Sequence, residues 1–169
     1  MSISLYDASI PGFLRMLRNL SGFLDKAEAH AKANGADLTT YAQARLFEDM
    51  APFYRQIHMA SDGAKGTAAR LAGIEPPSFP DVEETFPDLK ARIAKTIAFV
   101  ETIRPEQVDG DPNRTVELKF PNGSATFTAR DFLFNFALPN FLFHVTTAYG
   151  LLRAQGVPLG KMDYLQGAF

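Results

Sequence analysis

Apolar side chains recur at helical spacing along four long segments of the chain. The first segment begins at Ile10, and its pattern weakens at Asn34 and Gly35, a pair that commonly ends a helix. The second is predicted to start at a capping box on Thr40 and to continue towards Gly73, with a bend at Pro52. Segments of this kind predict amphipathic helices that bury one face against each other.

A proline-rich segment separates the second predicted helix from the third. Residues 74–88, IEPPSFPDVEETFPD, contain four prolines and predict an ordered crossing loop. Thr85 lies three residues before an aspartate, the spacing of a helix cap, and is predicted to cap the third helix. Thr128 has the same spacing and is predicted to cap the fourth. The fourth helix is expected to end near Gly156.

The hydrophobic period changes from helical to alternating between the third and fourth helices. In TVELKFPNGSATFT, residues 115–128, apolar and polar side chains alternate on both sides of a PNG sequence. Asn122 and Gly123 are expected to supply the positive φ angles of a tight hairpin turn. The whole pattern predicts a single all-α domain over residues 1–169, a four-helix bundle with a short β-hairpin inserted between helices 3 and 4.

Composition and charge narrow the classes of partner. The 17 basic and 19 acidic residues give a net charge of -2 without a basic run, so neither nucleic acid nor an anionic membrane surface is expected to bind. The apolar run Phe132–Leu152 has the length of a membrane span, but its Asn, His, Thr and Pro side chains favour a helix buried among other helices. The 0 cysteines and the lack of a signal peptide pattern at the N-terminus predict a cytoplasmic protein.

The fourth helix is apolar on almost all of its faces. Phenylalanine occupies five positions around it between Phe132 and Phe143. A helix that is apolar all round must be buried on all sides, which one bundle does not guarantee. A twofold homodimer is therefore expected, since it is the commonest way to cover such a face.

Histidine and its polar neighbours on two helices form the candidate site. His58 follows Tyr54 by four residues and precedes Asp62 by four, whereas His144 lies one turn after Asn140. In a bundle, inward side chains of facing helices can converge on an ion, and a catalytic zinc takes three protein ligands. Two hypotheses stay open: His58, His144 and Asp62 hold a divalent metal, or these side chains and Asn140 form a hydrogen-bonded core network.

Two stretches of the sequence resemble a known family. LFEDMAPFYRQIHMASDGAKG and FLFNFALPNFLFHVTTAYGLLRAQGVPLGKMDYLQG are similar to a bacterial family of unknown function within the DinB/YfiT-like superfamily of four-helix bundles. Members of this superfamily are generally regarded as metalloenzymes, and some act in thiol-dependent transfer or isomerisation with bacillithiol, mycothiol or glutathione. They bind a divalent metal through one histidine on the second helix and an HxxxH pair on the fourth.

The resemblance gives each candidate residue a place in that pattern. It implies that His58 occupies the second-helix position and that His144 matches the later histidine of the pair. Asn140 stands where the earlier histidine is expected, so a strong ligand has been replaced by an amide.

Two functions from different classes follow from the candidate site. The first is a metal-dependent, thiol-linked transferase or hydrolase of small molecules. In it, zinc or nickel held by His58, His144 and Asp62 activates a water or thiol beside Asn140 and Tyr54. The second is a non-catalytic dimeric bundle with a stress-related or small-molecule-binding role.

Overall fold

The computed structural model describes residues 3–82, 84–120 and 122–166. Its helices and strands follow the chain in this order: α1 Ile10–Asn34, α2 Leu38–Gln43, α3 Phe53–Ala72, α4 Phe86–Val100, α5 Pro105–Val108, β1 Thr115–Phe120, β2 Gly123–Thr128, α6 Ala129–Asp131, a π-helical segment Phe132–Ala137, α7 Leu138–Ala154 and α8 Lys161–Leu165.

The four long helices α1, α3, α4 and α7 form the bundle, in which α3 and α1 each pack against both α4 and α7. Buried aromatic rings join the helices: Phe13 meets Phe141 edge-to-face at 4.9 Å, and Phe53 stacks on Phe86 at 5.5 Å. Burying a phenylalanine completely contributes about 1.5–3 kcal/mol relative to leaving it exposed. The predicted four-helix bundle is confirmed, and its core lies between these four helices.

The predicted ends of the long helices are largely confirmed. Gly35 and Gly73 terminate α1 and α3 in the left-handed conformation, with φ of 63° and 70°. Thr85 and Thr128 cap α4 and α6, each by accepting a hydrogen bond from the backbone N–H three residues later. These ends are set by local chemistry, so the sequence pattern locates them well.

The predicted second helix is interrupted, and its expected start and bend are wrong. α2 is capped by Asp37, whose carboxylate accepts from the N–H of Thr39 at 2.8 Å, and not by Thr40. The chain leaves the helix after Gln43, and Pro52 is the N-cap residue of α3. A proline fits just before the first turn, where a missing N–H costs nothing. Pro52 therefore starts α3 instead of bending a longer helix.

The predicted β-hairpin is confirmed, but its turn differs from the expectation. β1 and β2 pair antiparallel from Thr115 opposite Thr128 to the backbone of residue 120 opposite Gly123. This register places the connection at residues 121–122, of which Pro121 lies outside the described residues. Gly123 has a φ of 148°, whereas no described residue other than glycine has a positive φ. Asn122 therefore does not supply the positive φ that the sequence predicted for it.

The last long helix is irregular at the point where it enters the bundle. α6, the π-helical segment and α7 follow one another without a break, and Pro139 is the second residue of α7. Proline cannot donate to the carbonyl of Asn135 and its ring crowds that oxygen, so a wider turn before it relieves the clash. Such π-helical turns are frequently found at functional sites.

The apolar run of the sequence is divided between the π-helical segment and α7. Phe141, Val145 and Ala148 point into the protein core, where they are almost completely buried. In the parts of the chain that the structure describes, no helix combines the length and the apolarity needed to cross a bilayer.

Candidate functional site

A cavity of about 570 Å³ lies between α3, β1, the π-helical segment and α7. His144, Asn140 and Asp62 reach its wall, together with the cationic side chains of Arg70 and Lys119. The remaining wall is largely apolar and includes phenylalanines from the π-helical segment. Its size and mixture of surfaces are those of a site for a small molecule.

His144 is held in one tautomer by a glutamine on α3. Its Nδ1 lies 2.8 Å from Oε1 of Gln56, and the Nε2 of the same glutamine donates to the carbonyl of Ala51 at 2.9 Å. The second bond fixes which way the amide points, so Oε1 faces the imidazole. Because an amide oxygen can only accept, Nδ1 carries the proton and donates. The lone pair of the neutral ring is therefore on Nε2, the nitrogen left for a molecule in the cavity.

Burial keeps the imidazole of His144 in its neutral form. The side chain is 8% exposed, and the ring packs edge-to-face on Phe143 at 5.3 Å. Removing an imidazolium from water is costly, so burial lowers the pKa of His144 below the ordinary 6.5. Near neutral pH this residue presents an acceptor, which can bind the O–H, N–H or S–H of a ligand.

His58 lies on a different side of α3 from Gln56. It is fully buried, with Nδ1 3.5 Å from Nη1 of Arg55 and 3.6 Å from Oδ1 of Asp81, and its ring meets that of Tyr54 edge-to-face at 5.6 Å. Residues two positions apart on a helix are separated by about 200° around its axis, so His58 and Gln56 face different neighbours. Neither His58 nor Tyr54 is among the residues that line the cavity of His144.

Asp62 belongs to a network of charges between α3, α4 and the crossing loop. Its Oδ1 accepts from Nη2 of Arg92 at 2.9 Å and from Nζ of Lys65 at 2.8 Å. Arg92, whose side chain is 0% exposed, also reaches Asp81 at 3.0 Å and the carbonyl of Pro80 at 2.9 Å. The network holds the proline-rich loop against the bundle, and it gives the buried guanidinium the partners that such a charge requires.

The donor set does not fit an ion shared by His58, Asp62 and His144. Nδ1 of His144 is bonded to Gln56, whereas Nδ1 of His58 is turned to Arg55 and Asp81. Oδ1 of Asp62 is already bonded to two cationic side chains. Within the described residues, no three His, Asp or Glu side chains are grouped as the ligands of a metal would be. The metal role of these three residues stays a prediction.

Asn140 stands where the helices approach closely. A Cβ built on Gly63 would lie 3.5 Å from Nδ2 of Asn140, an ordinary contact distance. The amide therefore faces the small-residue side of α3, next to the cavity that it lines. Of the five residues in the predicted site, the structure brings Asn140, His144 and Asp62 to one cavity, whose lining does not include His58 or Tyr54.

Two residues central to these contacts were missed by the sequence analysis. Gln56 precedes the core residue Ile57, so it reads as a polar side chain beside an apolar stripe. Arg92 lies between Leu89 and Ile93 on the core face of α4, and this charge within a predicted core face was the available signal. Their partners lie 88 and 30 positions away along the chain, a pairing that no local pattern encodes.

Comparison with known proteins identifies relatives over almost the whole chain. The family described as "Domain of unknown function (DUF1993)" matches residues 5–165. A crystal structure of a DinB family member protein from Shewanella denitrificans superposes with a TM-score of 0.90 at 36% sequence identity, covering 96% of this chain and 92% of that chain. No curated protein matches.

Proposed function

The chain belongs to the DUF1993 family, and from that premise we propose that it binds a small molecule in the cavity between α3, β1 and α7, with Nε2 of His144 as the acceptor. The fixed Nδ1–H tautomer of His144 at the cavity wall carries this proposal. His144 therefore lines the cavity with Nδ1 already bonded to Gln56, which leaves Nε2 as the ring nitrogen available to a ligand.

The same arrangement suits proton transfer. A ligand group X–H that donates to Nε2 can pass its proton there, leaving X⁻ and an imidazolium with a proton on each nitrogen. Oε1 of Gln56 keeps its bond to Nδ1–H in both states, so the glutamine stabilises the ring before and after transfer. The activity that we propose is therefore small-molecule binding, with general-base chemistry by His144 where the ligand is acidic enough.

A fragment screen tests this proposal. Uncharged fragments would be added to ¹⁵N-labelled protein near neutral pH, and the imidazole resonances of the 3 histidines would be followed by long-range ¹H–¹⁵N spectra. We expect hits that shift Nε2 of His144 and show contacts to Phe132 or Phe136 of the cavity wall. In His144→Phe the same fragments should lose affinity about five- to tenfold, the value of one buried hydrogen bond.

A chelator arm separates this function from the metal-dependent one. Binding should survive EDTA, and zinc or nickel should not raise the melting temperature of untagged protein, because a ligand of the native state must stabilise it. Fragments that bind only when metal is present would contradict this proposal and indicate a metal-dependent site. A screen whose hits all leave the His144 resonances unmoved would reject the cavity as the binding site.

We also propose that the protein is a cytoplasmic homodimer. Leu142 and Phe143 of α7 are 39% and 55% exposed, and they border a shallow groove with Leu46, which is 50% exposed. A second copy that covers this groove would complete the burial of α7. Light scattering should give twice the chain mass, and Phe143→Glu should return it to the monomer mass.

The 0 cysteines support a reducing compartment.

A further inference from the structure

Arg70 is a cationic side chain at the cavity wall that is not bonded to any described residue. It follows Gly63 and Thr67 along the cavity face of α3. Among the described residues it makes no hydrogen bond or ion pair, and Glu75 acts on it only through its electrostatic field. Burial lowers the pKa of Arg70, while the guanidinium stays positively charged at any physiological pH.

A glycine on α3 leaves room for the guanidinium of Arg70 beside its own helix. A Cβ built on Gly66 would lie 2.6 Å from Nη1 of Arg70, a distance at which one of the two must move. The absence of a side chain at Gly66 therefore lets the arginine lie back along its own helix, beside the cavity. Any residue larger than glycine there would push the guanidinium away.

The charges around the cavity favour an anion. Its wall carries Arg70 and Lys119 against one carboxylate, that of Asp62. Asp62 is already neutralised by Arg92 and Lys65. The side chain of Lys119 is 82% exposed, and among the described residues its ion pairing is limited to a long contact of 3.9 Å with Glu117. The cavity thus keeps one half-buried cation on its wall and a second cation at its mouth.

Opposite charge is only part of the recognition surface. Phe132, Phe136 and Met59 supply an apolar wall to the same cavity. Guanidinium groups bind carboxylate and phosphate oxygens through two parallel N–H donors, which gives orientation as well as attraction. A molecule with an anionic head and an apolar body would use both surfaces at once.

We propose that Arg70 is the anion anchor of this cavity and that the ligand is a small molecule with a carboxylate or phosphate head group and an apolar body. Lys119 attracts the head group at the mouth, and Gly66 leaves the space that Arg70 occupies. This inference rests on the proposed function, since it names the class of molecule that the same cavity takes.

Matched charged and uncharged probes test it. The probes are 3-phenylpropanoate, its amide 3-phenylpropanamide, and phenyl phosphate, titrated into the full-length chain while the His144 resonances are followed. We expect an anionic probe to bind at least about tenfold more tightly than the amide, the difference that one charge-assisted hydrogen bond makes. The two anionic arms then show whether the carboxylate or the phosphate is preferred.

Three variants assign the effect to the arginine. In Arg70→Gln the preference for the anion over the amide should fall several-fold, because only Lys119 still attracts the anion. In Gly66→Ala, which keeps the charge but displaces it, the affinity for the anion should also fall several-fold. Arg18→Gln is the matched control, because this arginine is paired with Glu101 on the surface of α1 and should leave all affinities unchanged. Thermal melts of each variant confirm that it is folded.

The outcomes separate this inference from the function on which it rests. If the amide binds as tightly as both anions, or if Arg70→Gln leaves the preference for the anion intact, the anchor is wrong while the cavity remains a binding site. If none of the three probes moves the His144 resonances and the fragment screen is also empty, the proposed function falls and the anchor falls with it.

Discussion

Replacing Gln56 with leucine tests whether this glutamine positions the imidazole of His144. The substitution removes the bond from Nδ1–H to Oε1, 2.8 Å long, and the bond from the amide Nε2 to the carbonyl of Ala51, 2.9 Å long. Ala51 is half-buried, so its carbonyl can turn to water. The His144 side chain is too deeply buried for water to replace the lost bond, so its Nδ1–H is left without an acceptor.

The magnitude follows from these environments. A hydrogen bond contributes about 1 kcal/mol net, and a buried donor left without an acceptor costs about 1–3 kcal/mol more. Leucine has a similar size and buries additional apolar surface, which offsets about 1 kcal/mol. We therefore expect Gln56→Leu to lower the free energy of unfolding by about 2 kcal/mol. The stranded ring should also move its proton from Nδ1 to Nε2 in part of the population.

Urea unfolding followed by circular dichroism near neutral pH measures the first effect, and imidazole ¹⁵N shifts measure the second. Gln43→Leu is the matched control, because Gln43 is an exposed glutamine on α2 and its loss should change stability by no more than about 0.5 kcal/mol. A Gln56→Leu protein as stable as the parent, with Nδ1 of His144 still fully protonated, would refute the positioning role of Gln56.

Three further predictions address the charge network, the cavity and the pH dependence. Arg92→Met should cost about 2–3 kcal/mol of unfolding free energy, less than a fully buried pair because Asp62 is partly exposed. The same change at Arg18, an exposed surface cation, should cost under about 1 kcal/mol, and equal losses in urea unfolding would contradict the network. Gly63→Ala should stabilise α3 by up to about 1 kcal/mol yet weaken fragment binding several-fold, since its methyl group narrows the cavity; unchanged dissociation constants would place the ligand elsewhere. Because burial lowers the pKa of His144, its contribution to stability is intact above about pH 6.5 and is lost as the pH falls towards the folded pKa. Across this range the free energy of unfolding should fall less in Gln56→Glu, because the new carboxylate favours the imidazolium. An equal fall in this variant and the parent would exclude His144 as the source of the pH dependence.

The sequence specified the features whose causes are local. The 3.6-residue period of the long helices, the glycines at their ends and the threonine caps of α4 and α6 depend on residues within a few positions of each other. The alternation on both sides of the hairpin is equally local, so β1 and β2 were found where they were expected. Where a local rule had two solutions, the wrong one could be chosen: Pro52 can bend a helix or start one, and only the docking of α3 decides between them.

The candidate site was only partly predictable for a physical reason. Helical spacing states which side chains share a face, so Asn140 and His144 were rightly placed together. It does not state which neighbour that face will meet, because the rotation of each helix about its axis is set by packing over the whole bundle. Tertiary structure alone turned His58 towards the crossing loop, gave His144 the amide of Gln56, and placed Arg70 beside a cavity without a hydrogen bond to any described residue.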